Sequence, residues 1–240
     1  MHLILTGATG TVGAPILRHC LESAQITQLS ILARKPFTLP EGLNVTKART
    51  IIHEDYAAYS PDVLEHLQGA DGCIWAQGTS QTSVSEKKYI RITYDFPVAA
   101  AKAFAALSST GKFNFVHVSG KGAESNVSLY GRTKARAEKA LLELPATPPY
   151  ETLRVFNVRP AYVDSPAYHP RPGMGRKIVY YGLAPLLRRV TPGLVTPTNA
   201  LAKVCVDLAI GDGGPVGGAD VAAEGRTLLP GAVKRLGELD

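Results

Sequence analysis

Tyr130 and Lys134 stand four residues apart in Leu129-Tyr130-Gly131-Arg132-Thr133-Lys134, at the head of a helix-like segment, Leu129 to Leu144, that Pro145 stops. Residues spaced i and i+4 share one face of a helix, about 6 Å apart. A phenol beside an ammonium can move a proton. Left to itself a phenol titrates near about pH 10, too high to serve as a base at neutrality, and a neighbouring cation lowers that value. Ser119 closes an apolar strand-like run, Phe113 to Val118, eleven residues before Tyr130. Its hydroxyl can hydrogen-bond a substrate oxygen and hold it in line with the phenol.

A second group sits at the start of the chain. Thr6-Gly7-Ala8-Thr9-Gly10-Thr11-Val12-Gly13 sets three glycines three residues apart, between a strand (Leu3-Ile4-Leu5) and a helix (Val12 to Ser23). In that context the pattern is a dinucleotide-binding fingerprint. Gly7 permits the tight turn, Gly10 lets a pyrophosphate approach the backbone, and Gly13 lets helix and strand pack closely. Thr9, Thr11 and Val12 share the phosphate-cradling backbone, where the helix N-terminus offers N–H groups and the positive end of its dipole. The second strand ends in Ala33-Arg34-Lys35, where an NAD site usually has an acid for the ribose 2′-hydroxyl. A 2′-phosphate would meet a guanidinium fork at Arg34 and a point charge at Lys35, so the expected cofactor is NADP. Asp55 and Tyr56, after the third strand, either flank the adenine or form a plain surface loop. The backbone of Ala76-Gln77-Gly78-Thr79, after the fourth strand, is expected to line the adenosine side and the nicotinamide ribose. With such a cofactor the first group acquires a reaction. A carbonyl that accepts hydride develops oxyanion charge and needs a proton. Tyr130 serves as acid in reduction and base in oxidation, while Lys134 lowers its pKa and donates to the nicotinamide ribose.

The glycine loop, Ser119 and the Tyr130/Lys134 pair resemble the short-chain dehydrogenase/reductase superfamily. The run His117-Val118-Ser119-Gly120-Lys121-Gly122-Ala123, followed by Leu129-Tyr130, is most similar to its atypical, epimerase-like branch. The resemblance covers roughly residues 1 to 163, and more loosely the tail through Ile210. It implies that the turn Arg159-Pro160-Ala161-Tyr162-Val163 meets the nicotinamide carboxamide through its backbone, with Pro160 and Val163 in contact. The family's long fourth helix commonly carries an Asn that helps relay protons. Here that helix reads Tyr89-Ile90-Arg91-Ile92-Thr93-Tyr94-Asp95, without one, which leaves relay by water to Lys134 open. Dimerisation through the helices flanking the fifth strand is a family expectation.

The elements that must position these residues alternate. Strands are expected at Leu29 to Ala33, Thr50 to His53, Gly72 to Ala76 and Leu153 to Val158. Helices are expected from Ser60-Pro61 to Gly69 and from Glu86 to Leu107, the latter kinked near Pro97. Strand–helix alternation with apolar strands predicts an α/β fold: a doubly wound parallel sheet, the Rossmann fold, with ligands at the carboxyl ends of its strands. Residues 1–240 read as one NAD(P)-binding domain, with a core at 1–163 and a small substrate-covering lobe at 164–240. That lobe holds a basic amphipathic stretch, Arg176 to Val190, and a helix from Pro197 capped by Thr196. Tyr162, Tyr168 and His169 fall in the covering loop. Arg171, Arg176, Lys177, Arg188 and Arg189 either greet a carboxylate or solvate a helix, and Lys121 either faces an anionic substrate or is simply exposed. His117, between Val116 and Val118, reads as core.

Composition narrows the classes. The chain has 240 residues, 45% of them apolar, and a formal net charge of +6. That balance argues against intrinsic disorder. Its basic residues are scattered, so the charge fits a mildly basic enzyme binding an anionic small molecule rather than nucleic acid. No apolar run of about 18 residues predicts a membrane span, and the N-terminus reads as a first strand rather than a signal peptide. Cys20, Cys73 and Cys205 are odd in number and far apart, against a disulfide framework or a metal site and in favour of the cytoplasm. The leading expectation is an NADP-dependent oxidoreductase of a small carbonyl or alcohol. A non-redox enzyme on the same scaffold (epimerase, isomerase or lyase) is the first alternative; the 77 residues after Val163 are short for a nucleotide-sugar epimerase. An NADP-sensing regulatory protein is the second, and the retained Tyr130 counts against it.

Overall fold

The computed structural model of the chain describes residues 1–125, 127–164 and 195–238. Six parallel strands form the centre: β1 (His2–Thr6), β2 (Gln28–Ala33), β3 (Ala48–Ile52), β4 (Gly72–Trp75), β5 (Phe113–Val118) and β6 (Leu153–Val158). They lie in the order β3-β2-β1-β4-β5-β6, the doubly wound arrangement in which the order reverses beside β1 and opens a crevice at the strand ends. The inner strands β1, β4 and β5 bury both faces, while β3 lies at the sheet edge and is partly exposed. Leu3 and Leu5 of β1 join one core with α1 (Gly13–Glu22), while Ile4 joins the other. That second core is packed by α4 (Phe96–Phe104) and by Leu141 of α5 (Leu129–Glu143).

Local chemistry explains most of the ends. Ser60 caps α2 (Pro61–Glu65), accepting from the Val63 N–H, with Pro61 in the first turn where its missing N–H costs nothing. Ser128 caps α5 through the Gly131 N–H at 3.0 Å, and Pro145 turns the end of α5 into a short 3₁₀ segment, Leu144–Ala146. The long fourth helix is interrupted as Pro97 demands. α3 (Glu86–Ile90) runs into a π-helical turn, Arg91–Asp95, before α4 resumes. Pro97 has no N–H for the Thr93 carbonyl and its ring crowds that carbonyl, and the wider turn accommodates both.

The tail corrects its expectation in part. Residues 198–238 build onto the core instead of forming a separate substrate-covering lobe. α6 (Thr198–Ile210) packs beside α1 on the first core, through Leu201, Val204 and Cys205. β10 (Thr227–Leu228) extends the sheet parallel to β6, and β9 (Val221–Ala222) pairs antiparallel to β10 at the edge. α7 (Pro230–Gly237) closes against α6, where Ala200 lies so near Gly237 that a Cβ there would collide with it. Thr196 is not the helix cap: the residue before α6 is Pro197, with no side-chain cap. The Thr196 hydroxyl instead accepts from the Ala161 N–H at 2.8 Å. This bond helps seat the short parallel ribbon of β7 (Tyr162–Asp164) and β8 (Val195–Pro197). The expected covering loop lies outside the described residues, and with it Tyr168, His169, Arg171, Arg176, Lys177, Arg188 and Arg189.

Candidate active site

Three connected spaces run along the carboxyl ends of the strands. The widest, about 830 Å³, is lined by Gly7, Thr9, Gly10, Arg34, Lys35, Tyr56, Ala76, Gln77 and Gly78 from the expected set, with Ala33, Phe37 and Glu54 beside them. Gly7 has φ +71°, and a Cβ on it would stand 2.6 Å from the Ala76 carbonyl oxygen. Only glycine suits that turn. Gly13 packs onto Gly7 so closely that any side chain would collide with the Gly7 carbonyl, and Gly13 and Thr11 are not in the lining. Gly10 differs: its φ is not left-handed, and an added Cβ would meet only the Gly7 carbonyl oxygen, at 3.3 Å. Its missing side chain leaves room in the groove. The first turn of α1 carries no acidic residue to compete with an anion. Arg34 and Lys35 are exposed on the rim.

Asp55 requires a correction. It is absent from this lining; its carboxylate accepts from Arg91 at 2.9 Å and from the Ala57 N–H at 3.1 Å. Its neighbour Glu54 faces the groove instead. Tyr56 contributes to the wall, but its ring is 1% exposed and packs edge-on against Trp75 and His53. Burial also raises its pKa, and its packed ring forms part of the wall.

A smaller cavity of about 140 Å³ lies between the ends of β4 and β5 and α5, lined by Val12, Ala76, Gln77, Gly78, Thr79, Thr93, His117, Val118, Ser119 and Lys134. A third space of about 410 Å³ is lined by Val12, Val118, Ser119, Gly120, Lys121, Tyr130, Pro160, Ala161, Tyr162 and Val163. Val12 and Ser119 border both. The structure therefore brings Ser119, Tyr130, Pro160 and Val163 together around one space, and sets Lys134 in the adjoining one.

The electrostatics differ from the sequence expectation. The Lys134 ammonium sits over the face of the Tyr130 ring, 5.4 Å from its centroid, rather than at its hydroxyl. Burial pushes the Lys134 pKa down to about 8, against the opposing pull of Glu138 one turn along α5. Tyr130 is not lowered: burial first, then Tyr89, Glu138 and Glu124, raise it to about 12. Its hydroxyl lies against Gly120, in space that any side chain at 120 would take. Glu138, 3% exposed, is neutralised by Arg159, whose Nε donates to both its carboxylate oxygens at 3.0 and 3.1 Å. Arg159 is thus held from below while the residues after it, Pro160 to Val163, line the third space.

Two buried groups lining this groove have no hydrogen-bond partner among the described residues: the Ser119 hydroxyl and the Gln77 side-chain oxygen. Buried polar atoms are normally paired. Orphans beside a glycine cradle fit a polar ligand that the residues are shaped to hold, and a dinucleotide supplies such groups along its whole length. Sequence reading missed Thr93, Glu54 and the cavity side of His117. Pro97 was the available signal for Thr93, since the π turn it provokes carries that residue into the small cavity. Among the described residues no group of three or more His, Cys, Asp or Glu side chains could hold a metal ion. The three cysteines are free and buried, and no described helix is long and apolar enough to cross a membrane.

No model of a known protein family matches the chain. It is 36% identical over 253 aligned residues to the leucinostatins biosynthesis cluster protein T of Purpureocillium lilacinum, an alignment covering 95% of this chain and 92% of that one. Among solved structures, an oxidoreductase of the short-chain dehydrogenase/reductase family from Burkholderia thailandensis superposes with a TM-score of 0.67 at 15% identity, covering 97% of this chain and 92% of its own. The UDP-glucuronic acid 4-epimerase of Bacillus cereus, solved with NAD, superposes with a TM-score of 0.63 at 15% identity, covering 86% and 71%.

Proposed function

This chain belongs to the family of the leucinostatins cluster protein T and has the fold of the epimerase-like short-chain dehydrogenases/reductases, and on that premise we propose that it is an NADP-dependent oxidoreductase that reduces a small carbonyl compound to an alcohol. The observation that carries this reading is the continuous groove: a glycine cradle with Arg34 and Lys35 at one end, and Tyr130, Ser119 and Lys134 around the joined spaces at the other. A reduced nicotinamide, when bound, supplies hydride to the carbonyl carbon. The Tyr130 hydroxyl gives the carbonyl oxygen its proton. Held near pKa 12, that phenol is protonated at every physiological pH, and an alkoxide is a stronger base than a phenolate, so the transfer runs toward the alcohol. The reverse reaction would use the phenolate, which the same raised value makes scarce at neutral pH. Ser119 offers the substrate oxygen a hydrogen bond from an unengaged hydroxyl, and Lys134 anchors the ribose.

The relative's name ties that protein to a leucinostatins biosynthesis cluster. For this chain we infer a ketone or aldehyde on a biosynthetic intermediate, bound in the space that Ser119, Tyr130 and Val163 line. Three buried, unpaired cysteines fit a reducing compartment, which we take to be the cytoplasm; recovery in a mitochondrial fraction would overturn that placement. The test of the reaction is NADPH oxidation across a panel of ketones and aldehydes. Carbonyl-dependent oxidation supports the reading. Tight NADPH binding with no oxidation by any of them contradicts it and points to a non-redox use of the site.

A further inference from the structure

His117 sits on β5, in register with Asn157 of β6. Both side chains face α5, and they are 2% and 0% exposed. Burying an imidazole is costly unless its nitrogens are engaged. One of them is. His117 Nδ1 lies 2.9 Å from Asn157 Oδ1, and Asn157 Nδ2 donates to the Glu138 carbonyl at 3.5 Å. Turning the amide over would set its oxygen against that carbonyl, two acceptors face to face. The amide orientation is therefore fixed, and with it the imidazole: Nδ1 carries the hydrogen and donates to Asn157.

Nε2 is left with a lone pair and no described hydrogen-bond partner, and the residue borders the 140 Å³ cavity it shares with Lys134, Thr93 and Ser119. Burial and the nearby Lys134 hold the ring neutral, with a pKa near 4, against the weaker opposing effects of Asn157 and Glu138. The Lys134 ammonium, across the cavity, hydrogen-bonds to no described residue. The cavity thus presents one group that only donates and one that only accepts. It has room for about four waters at roughly 30 Å³ each, or for the edge of a pentose. A sugar diol needs both kinds of partner: its oxygens take up hydrogen bonds from an ammonium, and its two hydroxyl protons need acceptors.

We propose that His117 binds the nicotinamide ribose, its Nε2 accepting a hydrogen bond from a ribose hydroxyl while Lys134 donates to the same sugar. This rests on the reading of the groove as a dinucleotide site. His117 is then a cofactor-binding residue of the strand core, with Asn157 as the positioning residue that sets its tautomer. A residue serving only to fill this position would be apolar, like its neighbours Phe115 and Val116, which are both fully buried.

The experiment compares two ligands that share the adenine end and differ at the other. NADPH carries the nicotinamide ribose; adenosine 2′,5′-bisphosphate lacks it. Leaving a buried hydroxyl without its acceptor weakens binding about ten- to a hundredfold. His117→Leu is therefore expected to bind NADPH that much more weakly and the bisphosphate as wild type does. His117→Gln, which keeps an acceptor, recovers most of the loss. In wild-type protein labelled at the histidine nitrogens, the His117 Nε2 resonance shifts with NADPH and stays in place with the bisphosphate, a readout that needs no variant to fold. Unchanged NADPH affinity in His117→Leu, equal losses for both ligands, or an unmoved resonance in NADPH-saturated wild type each overturn the proposal and leave the dinucleotide reading standing. Wild-type protein that binds neither ligand overturns both.

Discussion

The two ends of the groove work by opposite means. At the glycine-loop end the space is wide, the charges of Arg34 and Lys35 are exposed, and the shape comes from glycine backbone. At the Tyr130 end the spaces are smaller and the titratable groups are buried: Lys134 depressed to about 8, Tyr130 raised to about 12, and His117 held neutral. An exposed cation keeps its ordinary chemistry wherever it stands, so residue type and spacing describe it well. A buried group takes its properties from what surrounds it. The first end recognises; the second tunes. Variants at the two ends should therefore fail in different ways.

The largest effect is expected at the cradle. Gly10→Val fills groove space without requiring a left-handed backbone angle, so dinucleotide binding should fall more than about a hundredfold while circular dichroism and melting stay near wild type. A folded variant that still binds NADPH would remove the loop as the phosphate site. Next comes the rim. A charge-assisted bond to phosphate is worth roughly 1.5–3 kcal/mol, so Arg34→Ala should weaken NADPH about ten- to a hundredfold in a calorimetric titration and leave NADH nearly unchanged. Parallel losses for both cofactors would cancel the 2′-phosphate assignment.

The buried end should respond to pH where the rim does not. Lys134 loses its proton near pH 8 in the free protein. If the ammonium anchors the ribose, NADPH affinity should fall up to about tenfold per pH unit above that value. The Lys134→Met protein should bind weakly at every pH, with no such slope. A flat profile in wild type would mean that the ammonium does not contribute.

The remaining effect is on stability, and its sign is opposite to that on binding. A lysine lowered from its usual 10.5 to about 8 binds fewer protons folded than unfolded between those values. Its burial cost is therefore fully present below about pH 8 and fades as the pH rises toward 10.5. The shift corresponds to about 3 kcal/mol, reduced by whatever water reaches the cavity. Lys134→Met should thus stabilise the cofactor-free protein by about 1–3 kcal/mol at pH 7 in denaturant unfolding, and by little at pH 10. A destabilised variant would show that the ammonium is well satisfied where it lies.

The same division explains what was legible in the sequence. The strands β5 and β6 were readable to the residue, because Phe113–Val118 and Leu153–Val158 are dominated by Phe, Val and Leu, with only Asn114, His117, Arg154 and Asn157 between them. The edge strand β3 begins two residues before its expected start, since Ala48 and Arg49 carry little apolar signal. The glycine loop was legible because Gly7 and Gly13 have steric reasons, a left-handed turn and a close helix–loop contact. The tail did not: β9 and β10 are two residues each, too short for any periodicity, and they exist because β6 offers an edge to pair with. Spacing placed Asp55 near the adenine, but Arg91, 36 residues away, engages it. His117 looked like core and is core, yet which cavity a buried side chain borders depends on Asn157 and α5, which no local pattern contains. Spacing put Tyr130 and Lys134 on one face of α5, as the structure does; the direction of the phenol's shift was not legible, because it depends on burial and on Tyr89, Glu138 and Glu124.

The central claim is that Tyr130 delivers the proton at an end of the groove that is chemically separate from the end that recognises the cofactor. The most direct measurement is the turnover of Tyr130→Phe on a carbonyl substrate of the wild type, taken together with its NADPH dissociation constant. Phenylalanine keeps the ring under the Lys134 ammonium and removes only the hydroxyl. General acid catalysis contributes about 10²–10⁴-fold, so turnover should fall by that factor while the dissociation constant stays within about twofold of wild type. Undiminished turnover would contradict the account and leave Tyr130 as a packing residue.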